Sequence, residues 1–161
     1  MTHHQPQLGH QQRLLALDPG GHRTGVAVSD ELGLFAHARA AIVADSPGET
    51  ARQVQQIVGD DNVSEVIVGM PLSMSGLSSG QADEASVLVR VLRERLAVPV
   101  TTWDERLSSV QASRPLRGAT KGEEMSPDRP GKGRRKSGES DSRSAAIVLQ
   151  AVLDSRRGAR R

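Results

Sequence analysis

Between Leu14 and Asp30 the chain reads LLALDPGGHRTGVAVSD. An apolar run, Leu14 to Leu17, ends in Asp18. Pro19, Gly20 and Gly21 turn the backbone, and Thr24 to Ser29 forms a second run. Unbroken apolar runs this short suit strands buried on both faces. The stretch therefore predicts strand, tight turn, strand, with one carboxylate at the carboxyl end of the first strand. Open α/β sheets place their sites at such ends. An aspartate there is expensive to bury unless it is paired, hydrogen-bonded or bound to a metal. The alternative is a turn aspartate, since Asp before Pro-Gly favours turns.

The rest of the chain follows from pattern. Residues 1–12 are polar, with three histidines, and read as a disordered tail. Asp30-Glu31-Leu32-Gly33 reads as a hairpin turn into a strand from Leu34 to Val43. Ser46-Pro47-Gly48-Glu49 is a capping box with Pro at the first helical position, and the helix it opens stops near Gly59. Glu65 to Gly69 is a short buried strand. Met70 to Gly76 leaves its carboxyl end as a loop. Gln81 to Leu96 is an amphipathic helix with Ala85, Leu88, Val89, Leu92 and Leu96 on one face. Val98 to Trp103 is a fifth strand, followed by Asp104-Glu105-Arg106. Ser108 to Gln111 has capping-box spacing again and opens a short helix that Pro115 disturbs. Residues 117–140 are rich in Gly, Pro and charge and read as a mobile basic loop. A last helix spans Ser142 to Asp154. Three meandering strands followed by helix-linked strands imply an α/β fold with a five-stranded mixed sheet flanked by helices.

Composition narrows the chemistry. A length of 161 residues suggests one domain, and the absence of Cys excludes disulfides and thiolate catalysis. No apolar stretch approaches a membrane span and nothing resembles a signal peptide, so a cytoplasmic protein is expected. Net charge is only +2, but Arg114 to Lys136 carries eight Lys/Arg against three acids. Arg156, Arg157, Arg160 and Arg161 add to the C-terminus, where 158–161 reads as a basic tail. Such clusters either attract polyanions or form a solvated surface. The only aromatics are Phe35 and Trp103, so a nucleic acid would be held by phosphates and shape rather than by stacked bases.

Three acids stand out by position: Asp18 ends the first strand, Asp104 ends the last, and Asp141 opens the final helix. Positions i+4, i+7, i+8 and i+11 from Asp141 are Ala145, Val148, Leu149 and Val152, which sets Asp141 above an apolar stripe. Carboxylates meeting at one sheet edge would hold Mg²⁺ or Mn²⁺. Such a metal pair activates a water and stabilises the leaving oxygen of a phosphodiester. Each acid also has a plainer reading: Asp141 as a helix N-cap, Asp104 as a surface partner of Arg106, and Asp18 as the turn residue above. Glu105 alternates away from Asp104 on an extended backbone and ranks second. Arg23 either holds a phosphate or braces the acids, and His22 reads as an ordinary loop histidine.

The stretches LALDPGGHRTGVAVSD, VIVGMPLSMSG, the Gln-Ala of SGQADEA, VTTWDERLSS and DSRSAAIVLQAVLD, in this order over Leu14 to Asp154, resemble the YqgF/RuvX family of pre-16S ribosomal RNA nucleases and Holliday junction resolvase homologues. The resemblance implies an RNase H-like nuclease domain over 13–157. It also implies a divalent metal (Mg²⁺ or Mn²⁺), with Asp18, Asp104 and Asp141 as catalytic and metal-binding acids. The family's first-motif arginine and glycine fall on Arg23 and Gly25, and its Asp-Glu-Arg signature on Asp104, Glu105 and Arg106. Arg23, Arg106, Lys132, Arg134, Arg135 and Lys136 are the candidate substrate-binding cations. The implied activity is maturation of the 5′ end of pre-16S rRNA in ribosome biogenesis, on structured RNA, by a monomer or weak homodimer. DNA junction resolution and a non-catalytic RNA-binding module are the alternatives. Ser73 and Ser75 stand where the family often has Asn and Asp.

Overall fold

The computed structural model describes residues 13–71, 80–104 and 137–159, with side chains from Ser142 onward in the last segment. The elements in chain order are β1 (Arg13–Gly20), β2 (Arg23–Ser29), β3 (Ala36–Val43), α1 (Pro47–Asp60), β4 (Val63–Met70), α2 (Gly80–Arg95), β5 (Val100–Asp104) and α3 (Ser137–Gly158). The strands form one five-stranded sheet in the order β3-β2-β1-β4-β5. β1 is antiparallel to β2, and β2 to β3. β4 is parallel to both β1 and β5. This is the mixed sheet that the strand pattern predicts. The helix expected from Ser108 and most of the basic loop, through residue 136, lie outside the described residues.

Strand alternation divides the core into two layers. Leu15, Leu17, Val26, Val28, Val66, Val68 and Val100 point to the layer covered by α1 and α2, where Val54, Leu88 and Leu92 meet them. Leu14, Ala16, Ala27 and Ile67 point to the other layer, where Ala145, Leu149, Val152 and Leu153 of α3 meet them. β1 is apolar on both faces because both faces are covered. Fully burying one such Leu or Val contributes roughly 1.5–3 kcal/mol.

Local chemistry sets the element ends. Ser46 caps α1, its side chain accepting a hydrogen bond from the Glu49 N–H at 3.2 Å, and Pro47 occupies the first turn. β3 begins at Ala36, two residues later than expected. Asp30 Oδ1 accepts from the Leu34 N–H at 2.7 Å and the Phe35 N–H at 3.3 Å, so these residues belong to the turn. Gly33 supplies the positive φ of 62° that this turn needs. β5 begins at Val100 rather than Val98, just after Pro99, which cannot donate to a ladder. The strand runs on to include Asp104. α3 begins at Ser137, reaching back into the stretch expected to be loop. Asp141 is therefore the fifth residue of a helix and not its N-cap.

Candidate active site

The carboxyl ends of β1, β4 and β5 lie along one edge of the sheet because these strands are parallel. Asp18 is on that edge. β1 continues through Pro19 to Gly20, paired with Thr24 and Arg23, so the turn is confined to Gly21 and His22. Asp18 is thus a strand residue, half-buried, and the turn reading does not hold. Pro19 is tolerated because the described β1–β4 pairs end at Leu17 and Val68, leaving no ladder bond there for it to break.

Alternation places Asp18 on the α3 face, in line with Leu14 and Ala16. Its partner across β2 is Gly25. On β4 the residue after Val68, the partner of Leu17, is Gly69. Gly69 in turn pairs with Trp103, which packs against the α3-side cluster. The row on this face therefore reads Gly25, Asp18, Gly69, Trp103. Glycine therefore stands at the position beside Asp18 on both neighbouring strands, where a strand interior is otherwise weakened by the missing side chain.

Asp104 closes β5 and pairs with Met70. It shares the edge with Asp18 but is two strands away, about 10 Å between backbones. Thr101 and Trp103 face α3, since Thr101 Oγ1 donates to Glu65 Oε1 at 2.8 Å and Trp103 joins the α3-side cluster. Asp104 therefore alternates to the opposite face, with Met70, which packs on the α1–α2 layer. Among the described residues no three His, Asp or Glu form a metal-binding group. The side chain of Asp141 is outside that set, and so is Glu105.

The stripe predicted for the last helix is present. Ala145, Val148, Leu149 and Val152 are all buried, and position 141 lies one turn before Ala145 on the same stripe. Among the described residues, hydrogen bonds from Ser142, Gln150 and Arg156 hold α3 on the sheet. Ser142, 2% exposed, accepts at Oγ from the Val26 N–H at 3.3 Å. Gln150 accepts from the Ala36 N–H and donates to the Leu34 carbonyl, each at 3.0 Å. Arg156 makes two 2.8 Å bonds to the Glu65 carboxylate. Those bonds hold the Glu65 carboxyl below the ordinary glutamate range, against the opposing effect of burial, and Thr101 assists. The same pairing raises Arg156. Sequence reasoning missed these anchors and Gly69. A polar residue inside an apolar stripe, such as Ser142, was the available signal.

Of the candidate cations, Arg23 is exposed at the start of β2, just beyond the Asp18 end of the hairpin. Arg106, Lys132, Arg134, Arg135 and Lys136 lie outside the described residues. His22 is as plain as expected, an exposed side chain 3.8 Å from an equally exposed Asp45. An open cleft of about 510 Å³ lies elsewhere, at the amino end of β1, lined in part by Arg13, Glu31, His37 and Arg39. It is not the site, since it sits five residues of extended chain from Asp18, about 16 Å. Its arginines are also matched by Glu31 and Asp61 at 2.9 and 3.0 Å.

Known proteins resemble the chain over most of its length. The model of the family RuvX, described as Holliday junction resolvase, matches residues 12–155. A protein of Geobacillus kaustophilus is 38% identical over 147 residues, covering 90% of this chain and 99% of the relative. One of Halothermothrix orenii is 34% identical over 142 residues, covering 88% and 94%. Both carry the name "Putative pre-16S rRNA nuclease". Among solved structures, T. thermophilus RuvC in complex with a Holliday junction substrate superposes with a TM-score of 0.58 at 15% identity, covering 91% of this chain and 96% of RuvC. That likeness establishes the RNase H-like fold.

Proposed function

The chain belongs to the RuvX family of nucleases, and on that premise we propose that it is a divalent-metal-dependent endonuclease that matures the 5′ end of pre-16S rRNA in ribosome biogenesis. The observation that carries the reading is Asp18: a half-buried carboxylate at the carboxyl edge of a central strand, flanked by Gly25 and by Gly69 one step past the described β1–β4 pairs. The substrate is taken from the names of the relatives. No described helix is long and apolar enough to cross a membrane, and the proposed place of action is the cytoplasm, with the ribosomal RNA.

The donor set fits a hard cation. Asp18, Asp104 and Asp141 offer carboxylate oxygens, and the chain has no Cys. Asp18 and Asp141 are the proposed holders of Mg²⁺ or Mn²⁺, with the third ligand from the Asp-Glu-Arg segment, Asp104 or Glu105. When bound, the metal supplies activation of a water and charge stabilisation at the leaving oxygen. The protein's own groups do the rest. Asp18 fixes the reacting edge because β1 is the central strand, hydrogen-bonded on both sides. Arg23, Arg106 and the basic run Lys132, Arg134, Arg135 and Lys136 hold backbone phosphates and orient the strand to be cut. Asp104 alternates to the other face, so Asp104→Asn measured beside Glu105→Gln decides which acid of the Asp-Glu-Arg segment acts.

The description of the family model favours a second reading, a DNA junction resolvase. One assay separates the two. Purified protein is given a labelled pre-16S 5′ leader or a four-way DNA junction, each with Mn²⁺, Mg²⁺ or EDTA, beside Asp18→Asn and Asp141→Asn. Metal-dependent RNA cleavage lost in both variants is the expected result. Cleavage of the junction alone transfers the protein to the resolvases. Tight RNA binding without cleavage, unchanged in Asp18→Asn and indifferent to Mn²⁺, makes it a binding module.

A further inference from the structure

We propose that Ser142 is a positioning residue that sets the N-terminal turns of α3, and Asp141 with them, in register with Asp18. The inference rests on the reading of these acids as a site and adds the group that brings their elements together. Ser142 is buried to 2% exposure, and its Oγ accepts from the Val26 N–H at 3.3 Å. Val26 pairs with Leu17, and its neighbour Gly25 pairs with Asp18, so the bond attaches α3 one residue from the proposed site. The sheet is irregular at this place. The β2–β3 pairs pass from Thr24–Ile42 to Val26–Arg39, so β3 uses one residue more than β2. A bulge of this kind interrupts the ladder locally, and the serine hydroxyl reaches down from the helix to the amide beside it.

The other anchors lie far along the same helix. Gln150 is eight residues from Ser142 and Arg156 fourteen, about 12 and 21 Å along the axis. They hold the C-terminal half of α3, and the apolar contacts of Ala145 and Leu149 lie between them and the first turns. Among the described hydrogen bonds between α3 and the sheet, that of Ser142 is nearest the N-terminal end. Losing a group hydrogen-bonded to a metal ligand lowers metal affinity or activity by about ten- to a hundredfold; Ser142 acts one step further out, through the helix backbone that carries Asp141.

The chain has no Cys, so the juxtaposition can be read without metal or nucleic acid. Asp18→Cys with Asp141→Cys is treated with a short bifunctional thiol reagent in four backgrounds: Ser142, Ser142→Ala, Ser142→Thr and Gln150→Leu. The expected result is rapid cross-linking with Ser142, about tenfold slower with Ala, restored by Thr, and unaffected by Gln150→Leu. Equal rates in Ser142 and Ser142→Ala overturn the proposal. So does equal slowing by Ser142→Ala and Gln150→Leu, which would mark general loosening, and so does failure to cross-link with Ser142 present. With the acids intact, Mn²⁺ binding is then measured by electron paramagnetic resonance. Ser142→Ala is expected to weaken it about tenfold or more and to lower kcat, with KM for RNA unchanged. Slow cross-linking with wild-type Mn²⁺ binding overturns the role toward the metal. A wild-type protein that neither binds Mn²⁺ nor cleaves RNA overturns the proposed function, while the cross-linking comparison still decides the role of Ser142.

Discussion

Gly69→Ala adds one methyl group beside Asp18. Alanine is accepted in a strand at no backbone strain, so the fold is expected to persist, with thermal unfolding within a few degrees of wild type. Cleavage is expected to fall about tenfold or more, because the methyl occupies the approach to the carboxylate; 1.4 kcal/mol of lost transition-state stabilisation is enough. Asp18→Asn keeps the shape and removes the charge. It is expected to lower kcat by about a thousandfold, read in single-turnover assays at saturating Mn²⁺. If Gly69→Ala cleaves normally, glycine beside Asp18 on β4 has no functional meaning. The residue scale is also where sequence reading stopped short. Asp18 and Asp104 stand at strand ends as the pattern predicts, whereas Asp141, expected to open the last helix, is its fifth residue. Which face each occupies follows from strand parity, and parity needed the observed end of β5 at Asp104.

At the scale of elements, α3 is held to the sheet by polar anchors as well as by its apolar stripe. Glu65 is the sheet's side of the two-bond anchor to Arg156, which lowers its carboxyl below the ordinary range. A carboxyl lowered in the folded state stabilises the fold at pH above its unfolded value, and that stabilisation disappears as pH falls through the folded value. Wild type is therefore expected to lose stability as pH drops from about 4.5 downward. Glu65→Gln is expected to be destabilised by about 0.5–1 kcal/mol at neutral pH, and to show a correspondingly smaller loss in acid, in urea titrations across pH 3 to 7. A second element-level test is Ser46→Ala, which removes the cap of α1 and is expected to cost about 1 kcal/mol with no change in cleavage. The cap was legible in four residues of sequence because capping is local. The clamp was not, because Glu65 and Arg156 are brought together only when α3 crosses β4.

For the whole molecule, the basic run is the proposed grip on a polyanion. Neutralising Lys132, Arg134, Arg135 and Lys136 together is expected to weaken binding of the RNA leader and to lower the slope of log affinity against log salt by up to about 3. Thermal stability and Mn²⁺ binding should stay as in wild type. An unchanged slope would assign phosphate binding to Arg23, Arg106 and other cations instead.

Sequence alone determined the alternation of strands and helices, the burial of β1 on both faces, the capped start of α1 and the stripe of the last helix. Each is a periodic or short-range property, set by residues within one or two turns of each other. It also placed Asp18 and Asp104 at the carboxyl ends of strands. Tertiary structure decided what depends on residues far apart in the chain: that β1, β4 and β5 end on one edge, that Gly25 and Gly69 flank Asp18, that Asp104 alternates away from it, and that Ser142 meets Val26 across 116 positions. Those relations are fixed by sheet register and helix docking, which depend on the packing of the whole core.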